Sequence, residues 1–321
     1  MPAKPKLLIF LMFPEHVRLL YRDRLAAKYP EMDVDVVATR EECAEAIEGA
    51  DILLTFGAMM RDWVYRKAGR LRWLHALGTG VDGITDCPSL RREVIVTSTR
   101  GIHGIPLSEA GFMMMLALSR DLPRSLRAQA KGAWERWPAR LLHNKTVGIF
   151  GIGLIAEEMA PRFKAFGMHT VGITRTPREV TGIDRFVTRD ELEDIVAELD
   201  YLVLLIPLTE ETRNIVDERI LKAMKPTSCL INLARGGVVD EAALARALDE
   251  GWIGGAGLDT FLEEPLPPDH PLWKAPNTII TPHLAGFNDA YPDHALPQFE
   301  ANLRSFLSGE MDRMINVEER V

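Results

Sequence analysis

"TVGIFGIGLIAEEMAPRF", residues 146–163, is the stretch on which the fold turns. Its first five residues form a short run rich in β-branched and aromatic side chains, the signature of a buried strand. Gly151-Ile152-Gly153-Leu154-Ile155-Ala156 follows at once, and from Glu157 the pattern is helical to residue 166. Strand, glycine turn and helix in that order give the G-x-G-x-x-G/A pattern its physical meaning. Gly151 permits the tight turn, and Gly153 lets the backbone approach a pyrophosphate. The free N–H groups and the dipole at the helix start, around Leu154 and Ile155, favour that negative charge. Ala156, in the third position, still allows close packing of helix on strand. A purely structural glycine turn is the rival reading of the motif taken alone. Its setting favours a dinucleotide.

Working outward, apolar runs alternate with helical patterns on both sides of this turn. Before it, strands are expected at residues 6–11, 33–37, 51–56, 71–75 and 93–98, with helices at 18–29 and 40–48. From the turn onward, strands are expected at 146–150, 169–173, 201–206, 229–233, 255–259 and 278–281, with helices at 190–199 and 241–248. This rhythm predicts parallel sheets with helices on both faces. It breaks near residue 102, where a long, mostly apolar helix begins at residue 105 and runs to 130. Pro123 inside that span bends or divides it. Met113, Met114 and Met115 read as core or subunit packing. A last helix is expected at 295–307. The expected architecture is α/β, with two doubly wound parallel-sheet domains, Rossmann-like and flavodoxin-like, and a cleft between them. Residues 1–101 plus 290–321 form the substrate domain, and 102–289 form the inserted dinucleotide-binding domain.

Bulk properties narrow the function classes. The chain has 321 residues, 47% hydrophobic and 26% charged, within the ordinary globular range. A net charge of −8 argues against a nucleic-acid or anionic-membrane partner, because both need a basic face. Cys43, Cys87 and Cys229 are far apart, so neither a disulfide framework nor a zinc site is expected. No metal is expected, and a reducing cytoplasm is the expected location. The start, MPAKPKLLIFLMF, has a basic end and an apolar run. Pro14-Glu15-His16 follows without a small-residue cleavage site, so the run reads as a first strand rather than a signal peptide. No apolar stretch approaches the roughly 20 residues that span a bilayer.

Three further stretches carry chemistry: INLARGG (231–237), LDTFLEEP (258–265) and TPH (281–283). Each lies just beyond an apolar strand, the edge where ligands bind in open α/β sheets. Arg235, Glu264 and His283 could therefore share one site. Each residue alone is more often a solvated or satisfied polar group at a strand end.

At this point the chain resembles the D-isomer-specific 2-hydroxyacid dehydrogenases, of the glyoxylate/hydroxypyruvate reductase kind, over nearly its whole length. The matching motifs are LGTGVD (77–82), the glycine turn, LIPLTEETR (205–213), INLARGG, LDTFLEEP and TPHLAG (281–286). The resemblance implies an NAD(P)-dependent oxidoreductase acting on a small 2-oxo or 2-hydroxy acid, and a homodimer. It assigns Arg235, Glu264 and His283 to catalysis, and the chemistry fits: reducing a 2-oxo acid needs a hydride on one face of the carbonyl and a proton on its oxygen. His283 suits the proton, Glu264 beside it favours the imidazolium, and the Arg235 fork suits the carboxylate and the ketone oxygen. Gly78, Thr79 and Gly80 become an anion-binding nest for the substrate carboxylate, with Arg235 opposite. Ala234 and Asp259 hold the nicotinamide amide, and Ile206, Pro207 and Thr212 form the loop beneath the cofactor. The chain departs from the family where Leu284-Ala285-Gly286-Phe287-Asn288 follows His283, which alters the pocket wall and leaves the substrate's identity open. Arg100-Gly101-Ile102-His103-Gly104 also replaces a commoner proline–glycine–asparagine type of run. Hinge packing and a ligand contact are both open for His103, as are a pocket wall and a subunit contact for Trp134 and Trp137.

Glu264 argues against a formate dehydrogenase on the same scaffold, which resembles this family but carries glutamine there. A short phosphoglycerate dehydrogenase-like enzyme and a dinucleotide-sensing co-repressor remain as alternatives. The chain length leaves no room for a regulatory domain, and the lack of tails weighs against the co-repressor. Cofactor choice rests on the end of the second strand of the inserted domain. NAD-preferring domains carry an acid there for the ribose hydroxyls. About 18 residues past Ala156 stands Thr174, followed by Arg175, Thr176 and Arg178. Hydroxyls and guanidiniums suit a phosphate, so NADP is expected over NAD, with solvated arginines or adenine stacking as the rival reading.

Overall fold

The computed structural model describes residues 4–319; residues 1–3, at the basic start of the expected first strand, and 320–321 lie outside the described residues. The first half of the chain is ordered as β1 (Lys6–Phe10), α1 (Glu15–Lys28), β2 (Asp33–Val37), α2 (Arg40–Ala46), β3 (Ile52–Thr55), β4 (Trp73–Ala76), β5 (Ile95–Ser98), α3 (Gly104–Ser119) and α4 (Leu122–Ala130). The series then resumes with β6 (Thr146–Phe150), α5 (Leu154–Ala165), β7 (His169–Ile173), β8 (Arg185–Val187), α6 (Leu192–Val196), β9 (Tyr201–Leu204) and α7 (Glu218–Ala223). It ends with β10 (Cys229–Asn232), α8 (Glu241–Asp249), β11 (Gly255–Leu258), β12 (Thr278–Ile280) and α9 (Tyr291–Ser308). Two compact units result. One runs to Ile102 and resumes at Asp289; the other is His103–Asn288.

In the first unit the strand order is β2-β1-β3-β4-β5, every pair parallel. This is the flavodoxin-like doubly wound order. The C-terminal helix α9 belongs to it: the Trp73 ring of β4 stacks on Phe299 at 5.0 Å and 11°. The helix begins four residues earlier than the apolar pattern suggests, at Tyr291, with Pro292 in its first turn, where a missing N–H costs nothing.

The second unit has the order β12-β11-β10-β9-β6-β7-β8, again all parallel. Counted from β6 it is the 3-2-1-4-5-6 order of dinucleotide domains with one strand added. The order reverses between β6 and β9, so the loops after these strands open at the switch point. Both faces of the sheet are covered, which explains the near-continuous apolar runs. On β6, Val147 and Ile149 pack with Met115, Met159 and Phe163, while Phe150 on the other face packs with Leu199, Leu202 and Leu204. Gly148 lets Leu199 approach: a Cβ there would lie 2.3 Å from Leu199 Cδ1.

The expected helix over 105–130 is two helices. Asp121 turns the chain with φ 53° and caps α4 by accepting from the Arg124 amide. Pro123 sits in the first turn of α4, where proline is tolerated, so the division falls ahead of it. Met114 and Met115 are fully buried, whereas Met113 is exposed. The helix expected over 190–199 shortens to a 3-10 turn at Arg189–Glu191 followed by α6. Strand β8 and helix α7 escaped the sequence pattern because three and six residues are too few to display a period.

Candidate active site

The loop after β6 is built around Gly151 and Gly153. Gly151 has φ 107°, and a Cβ there would lie 2.9 Å from both Ile206 Cγ2 and the Leu205 carbonyl carbon. Conformation and space both demand glycine. Gly153 precedes α5 in extended conformation, with no side chain capping the helix and nothing within 4 Å of its missing Cβ. The amides of Leu154 and Ile155 are therefore approachable by an anion, and the residues fit a pyrophosphate. Ala156 is fully buried against the sheet. Glu157 would oppose an anion in the first turn of α5, but it is paired with Arg178.

No acid follows β7. The Thr174 amide donates to the Val187 carbonyl at 3.2 Å, closing the loop onto β8. Arg175, Thr176 and Arg178 beyond it are exposed. Arg175 Nη1 lies 3.2 Å from Glu211 Oε2, and Arg189 Nη1 lies 3.5 Å from the same oxygen. The two arginines singled out in the sequence are thus not alike. Arg178 is tied to Glu157 of α5, the helix after the glycine turn, and Arg175 to a glutamate in the loop after β9. That loop is stiffened by Thr212, whose Oγ1 donates to the Pro207 carbonyl at 2.7 Å and accepts from the Thr209 amide at 2.7 Å. Ile206 is buried under it.

Strands β10, β11 and β12 are neighbours, and their carboxyl ends bring Arg235, Glu264 and His283 to one edge. After β10, Asn232 shapes the turn: Oδ1 accepts from the Ala234 amide at 3.0 Å, and Nδ2 donates to the Arg235 carbonyl at 2.9 Å. Arg235 Nη1 donates to the Ala234 carbonyl at 2.7 Å. A Cβ on Gly236 would lie 1.9 Å from the Phe261 carbonyl carbon, so the turns after β10 and β11 touch backbone to backbone. Asn232 and Gly236 position the arginine, yet in the sequence neither stands out from any other polar or glycine residue of a turn.

Glu264 Oε1 accepts from the Phe261 amide at 3.0 Å, and Oε2 lies 2.8 Å from His283 Nδ1. Burial alone would raise the Glu264 carboxyl. The hydrogen bond and charge of His283, the Phe261 amide and the Arg235 charge outweigh it and hold the group below its ordinary value. Glu264 is thus a carboxylate at neutral pH. With Nδ1 engaged, Nε2 is the nitrogen that presents a transferable proton. His283 itself has φ 53°, in the left-handed region. Asp259 holds it there: its carbonyl accepts from the His283 amide at 2.8 Å, and its carboxylate accepts from Thr281 Oγ1 (2.6 Å), the Leu284 amide (2.8 Å) and the Ala285 amide (3.0 Å). The residue assigned from the family to the nicotinamide amide thus spends its carboxylate on the histidine's own loop. His103, just ahead of α3, lies against Gly286: its Cδ2 is 3.2 Å from where a Cβ on Gly286 would stand. Burial, helped by the Arg235 charge, pushes its pKa down to about 4. Trp137 donates to the Arg120 carbonyl and carries the Arg124 guanidinium 4.4 Å above its ring, while Trp134 is 88% exposed.

In the other unit, Gly78, Thr79 and Gly80 form the turn after β4. Thr79 Oγ1 donates to the Thr99 carbonyl at 3.0 Å. Gly57 packs beneath: a Cβ there would lie 2.6 Å from the Asp82 carbonyl and 3.0 Å from that of Gly80.

Comparison with known proteins agrees with this picture. The model for "D-isomer specific 2-hydroxyacid dehydrogenase, NAD binding domain" matches residues 112–285. A glyoxylate reductase of Pyrococcus furiosus is 32% identical over 318 residues, 96% of this chain and 94% of that one. Among solved structures, a D-isomer specific 2-hydroxyacid dehydrogenase family protein from Aeromonas salmonicida superposes with a TM-score of 0.86 at 31% identity, covering 99% of this chain and all of that one. An NADPH-dependent glyoxylate/hydroxypyruvate reductase of Sinorhizobium meliloti, in complex with NADP and sulfate, gives a TM-score of 0.82 at 26% identity over 99% of both chains. Fold, glycine turn and matches together place the chain in the D-isomer specific 2-hydroxyacid dehydrogenase family, as an NAD(P)-dependent oxidoreductase that reduces 2-oxo acids.

Proposed function

We propose that the protein reduces a small 2-oxo acid of the glyoxylate or hydroxypyruvate type to the D-2-hydroxy acid, with NADPH preferred over NADH. The observation that carries this reading is the 2.8 Å pair of His283 and Glu264, with the Arg235 charge acting on that carboxylate, at the carboxyl edge of a dinucleotide-type sheet. A nicotinamide cofactor, when bound, would supply the hydride for one face of the substrate carbonyl. His283 Nε2 gives the proton to its oxygen, and Glu264, at 2.8 Å from Nδ1, keeps the imidazole oriented. Arg235 grips the carboxylate and polarises the ketone with one planar fork. The N–H groups of Gly78, Thr79 and Gly80 hold the carboxylate in a nest. In this reading the unit ending at Ile102 and resuming at Asp289 serves the substrate, and His103–Asn288 serves the cofactor. Gly151, Gly153, Leu154 and Ile155 take the pyrophosphate. Ile206, Pro207 and Thr212 would support the cofactor from beneath, and Ala234 and Asp259 would hold the nicotinamide amide. A panel of 2-oxo acids with each reduced cofactor, followed by nicotinamide absorbance, tests it; no turnover with any of them, alongside tight dinucleotide binding, would favour a sensing protein instead.

The NADPH preference rests on the loop after β7. Arg175 is 76% exposed and held only by an exposed pairing to Glu211, which is weak in water. A phosphate dianion, with Thr174 and Thr176 hydroxyls beside it, replaces that partner readily. Arg178 screens Glu157 from the same anion. Arg175→Ala is expected to cost NADPH about 10- to 100-fold in kcat/KM and NADH little, the scale of a lost charge-assisted hydrogen bond. A wild type that favours NADH refutes the preference.

We also propose a homodimer through the His103–Asn288 unit, in a reducing cytoplasm. Ile105, Met113, Leu116, Leu122, Leu126 and Trp134 are all exposed along α3, α4 and the segment that follows. Large apolar side chains massed this way mark an interaction face. The chain is expected to scatter light as a dimer at micromolar concentration, and a monomer there would refute the interface. Among the described residues no helix is long and apolar enough to cross a membrane.

A further inference from the structure

We infer that His75 is a positioning residue for the substrate turn: a buried imidazole, protonated on Nε2, that locks Gly78–Gly80 in place through Thr99. The inference rests on the reading of that turn as the carboxylate nest.

His75 lies on β4, opposite Thr97 of β5 in the parallel register, and Trp73, two residues back, shares its face. All three are fully buried, as is Thr99. Trp73 Nε1 donates to Thr97 Oγ1 at 2.9 Å. Thr97 Oγ1 lies 2.7 Å from His75 Nδ1, and Thr99 Oγ1 lies 3.1 Å from His75 Nε2. An indole N–H only donates, and a hydroxyl has one proton to give. Thr97 takes the Trp73 proton on its oxygen and sends its own to Nδ1. The two lengths agree: O–H donors make shorter bonds than N–H donors. Nε2 therefore carries the proton and donates to Thr99. The direction of the chain runs from Trp73 through Thr97 and His75 to Thr99.

Thr99 is the joint between this chain and the turn. Its amide donates to the Ala76 carbonyl at 3.0 Å and reaches the Gly78 carbonyl at 3.3 Å, and its own carbonyl accepts from Thr79 Oγ1 at 3.0 Å. From the C-terminal helix, the Tyr291 hydroxyl fixes the residue before the turn, donating to the Leu77 carbonyl at 2.6 Å. Phe299 meets the imidazole edge-on at 5.4 Å and 65°, which stops it tilting. Burial pushes the His75 pKa down to about 3, so the network does not switch in the working range. A nest made of backbone N–H groups binds well only if those groups are aimed before the anion arrives. In this fold the aim is set by a side chain that never touches the anion.

The test has a spectroscopic arm and a kinetic arm. Nitrogen NMR of the wild-type protein, labelled in histidine, should show one residue as the Nε2–H tautomer, unchanged from about pH 5.5 to about pH 8.5, and its signals should vanish in His75→Gln. An Nδ1–H tautomer, or titration within that range, overturns the wiring. In kinetics, His75→Leu and Thr99→Val should each raise KM for the preferred 2-oxo acid about 5- to 20-fold, with kcat within about threefold and the Kd of NADPH unchanged. His75→Gln keeps one donor and one acceptor and should recover most of the loss. Equal losses in KM, kcat and NADPH binding would instead mark a merely structural residue and overturn the inference. Gly80→Ala separates the two levels. If it leaves KM unchanged, the nest reading fails; if it raises KM while His75→Leu and Thr99→Val do not, the nest stands and the positioning role fails.

Discussion

His283→Ala is expected to lower turnover by about 100- to 10,000-fold, the scale of a general acid–base residue, with dinucleotide affinity nearly unchanged. The expectation follows from how the imidazole is held. Glu264 takes Nδ1 at 2.8 Å, so Nε2 faces outward as the donor. Asp259 collects four hydrogen bonds from residues 281–285 and so sets the ring's position. The backbone at 283 has φ 53°, a conformation that alanine adopts at some cost. His283→Asn is the better-folded companion, because asparagine tolerates the left-handed region. A folded variant of either kind with near-normal turnover would falsify the role.

Arg235→Ala is expected to cost about 100- to 1,000-fold in kcat/KM, with both KM and kcat affected, because one group grips the carboxylate and stabilises the charge growing on the carbonyl oxygen. Arg235→Lys should recover only part, since an ammonium lacks the planar fork. The turn that carries it is braced by Asn232 and by the contact of Gly236 with Phe261, so the truncation should not disturb the fold. Glu264→Gln acts differently. Its neighbours hold the carboxylate ionised, and it takes His283 Nδ1 at 2.8 Å. An uncharged amide in its place leaves the proton-donating ring without that carboxylate, so Glu264→Gln is expected to lower kcat with the Kd of NADPH unchanged. A loss confined to kcat in Arg235→Ala would remove it from substrate binding, and an unchanged kcat in Glu264→Gln would remove that residue from the proton relay.

The strands and the glycine turn were legible from residue order because their signals are local. Short, near-continuous apolar runs mark 146–150 and 169–173 to the residue, and a strand running into Gly151 and Gly153 leaves few other conformations. Arg235, Glu264 and His283 were legible as residues at three strand ends, and as a set only through the resemblance to a family. Short elements such as β8 were not legible, because a three-residue edge strand has no period and is defined by its neighbour.

What the chain determined by itself, then, is where strands end, which loops need glycine, and which reactive residue types stand at those ends. Tertiary structure alone decided which ends meet. Arg235, Glu264 and His283 converge because β10, β11 and β12 pair in that order, and sheet order is set by packing across the whole domain rather than by any local pattern. The same holds for partners. Arg178 finds Glu157, Asp259 finds the His283 loop, and His75 finds Thr97 and Thr99, each across 20 or more residues of chain. A buried polar group must bond to something, but a sequence does not say to what; the answer is fixed only when the backbone brings one particular donor to one particular acceptor.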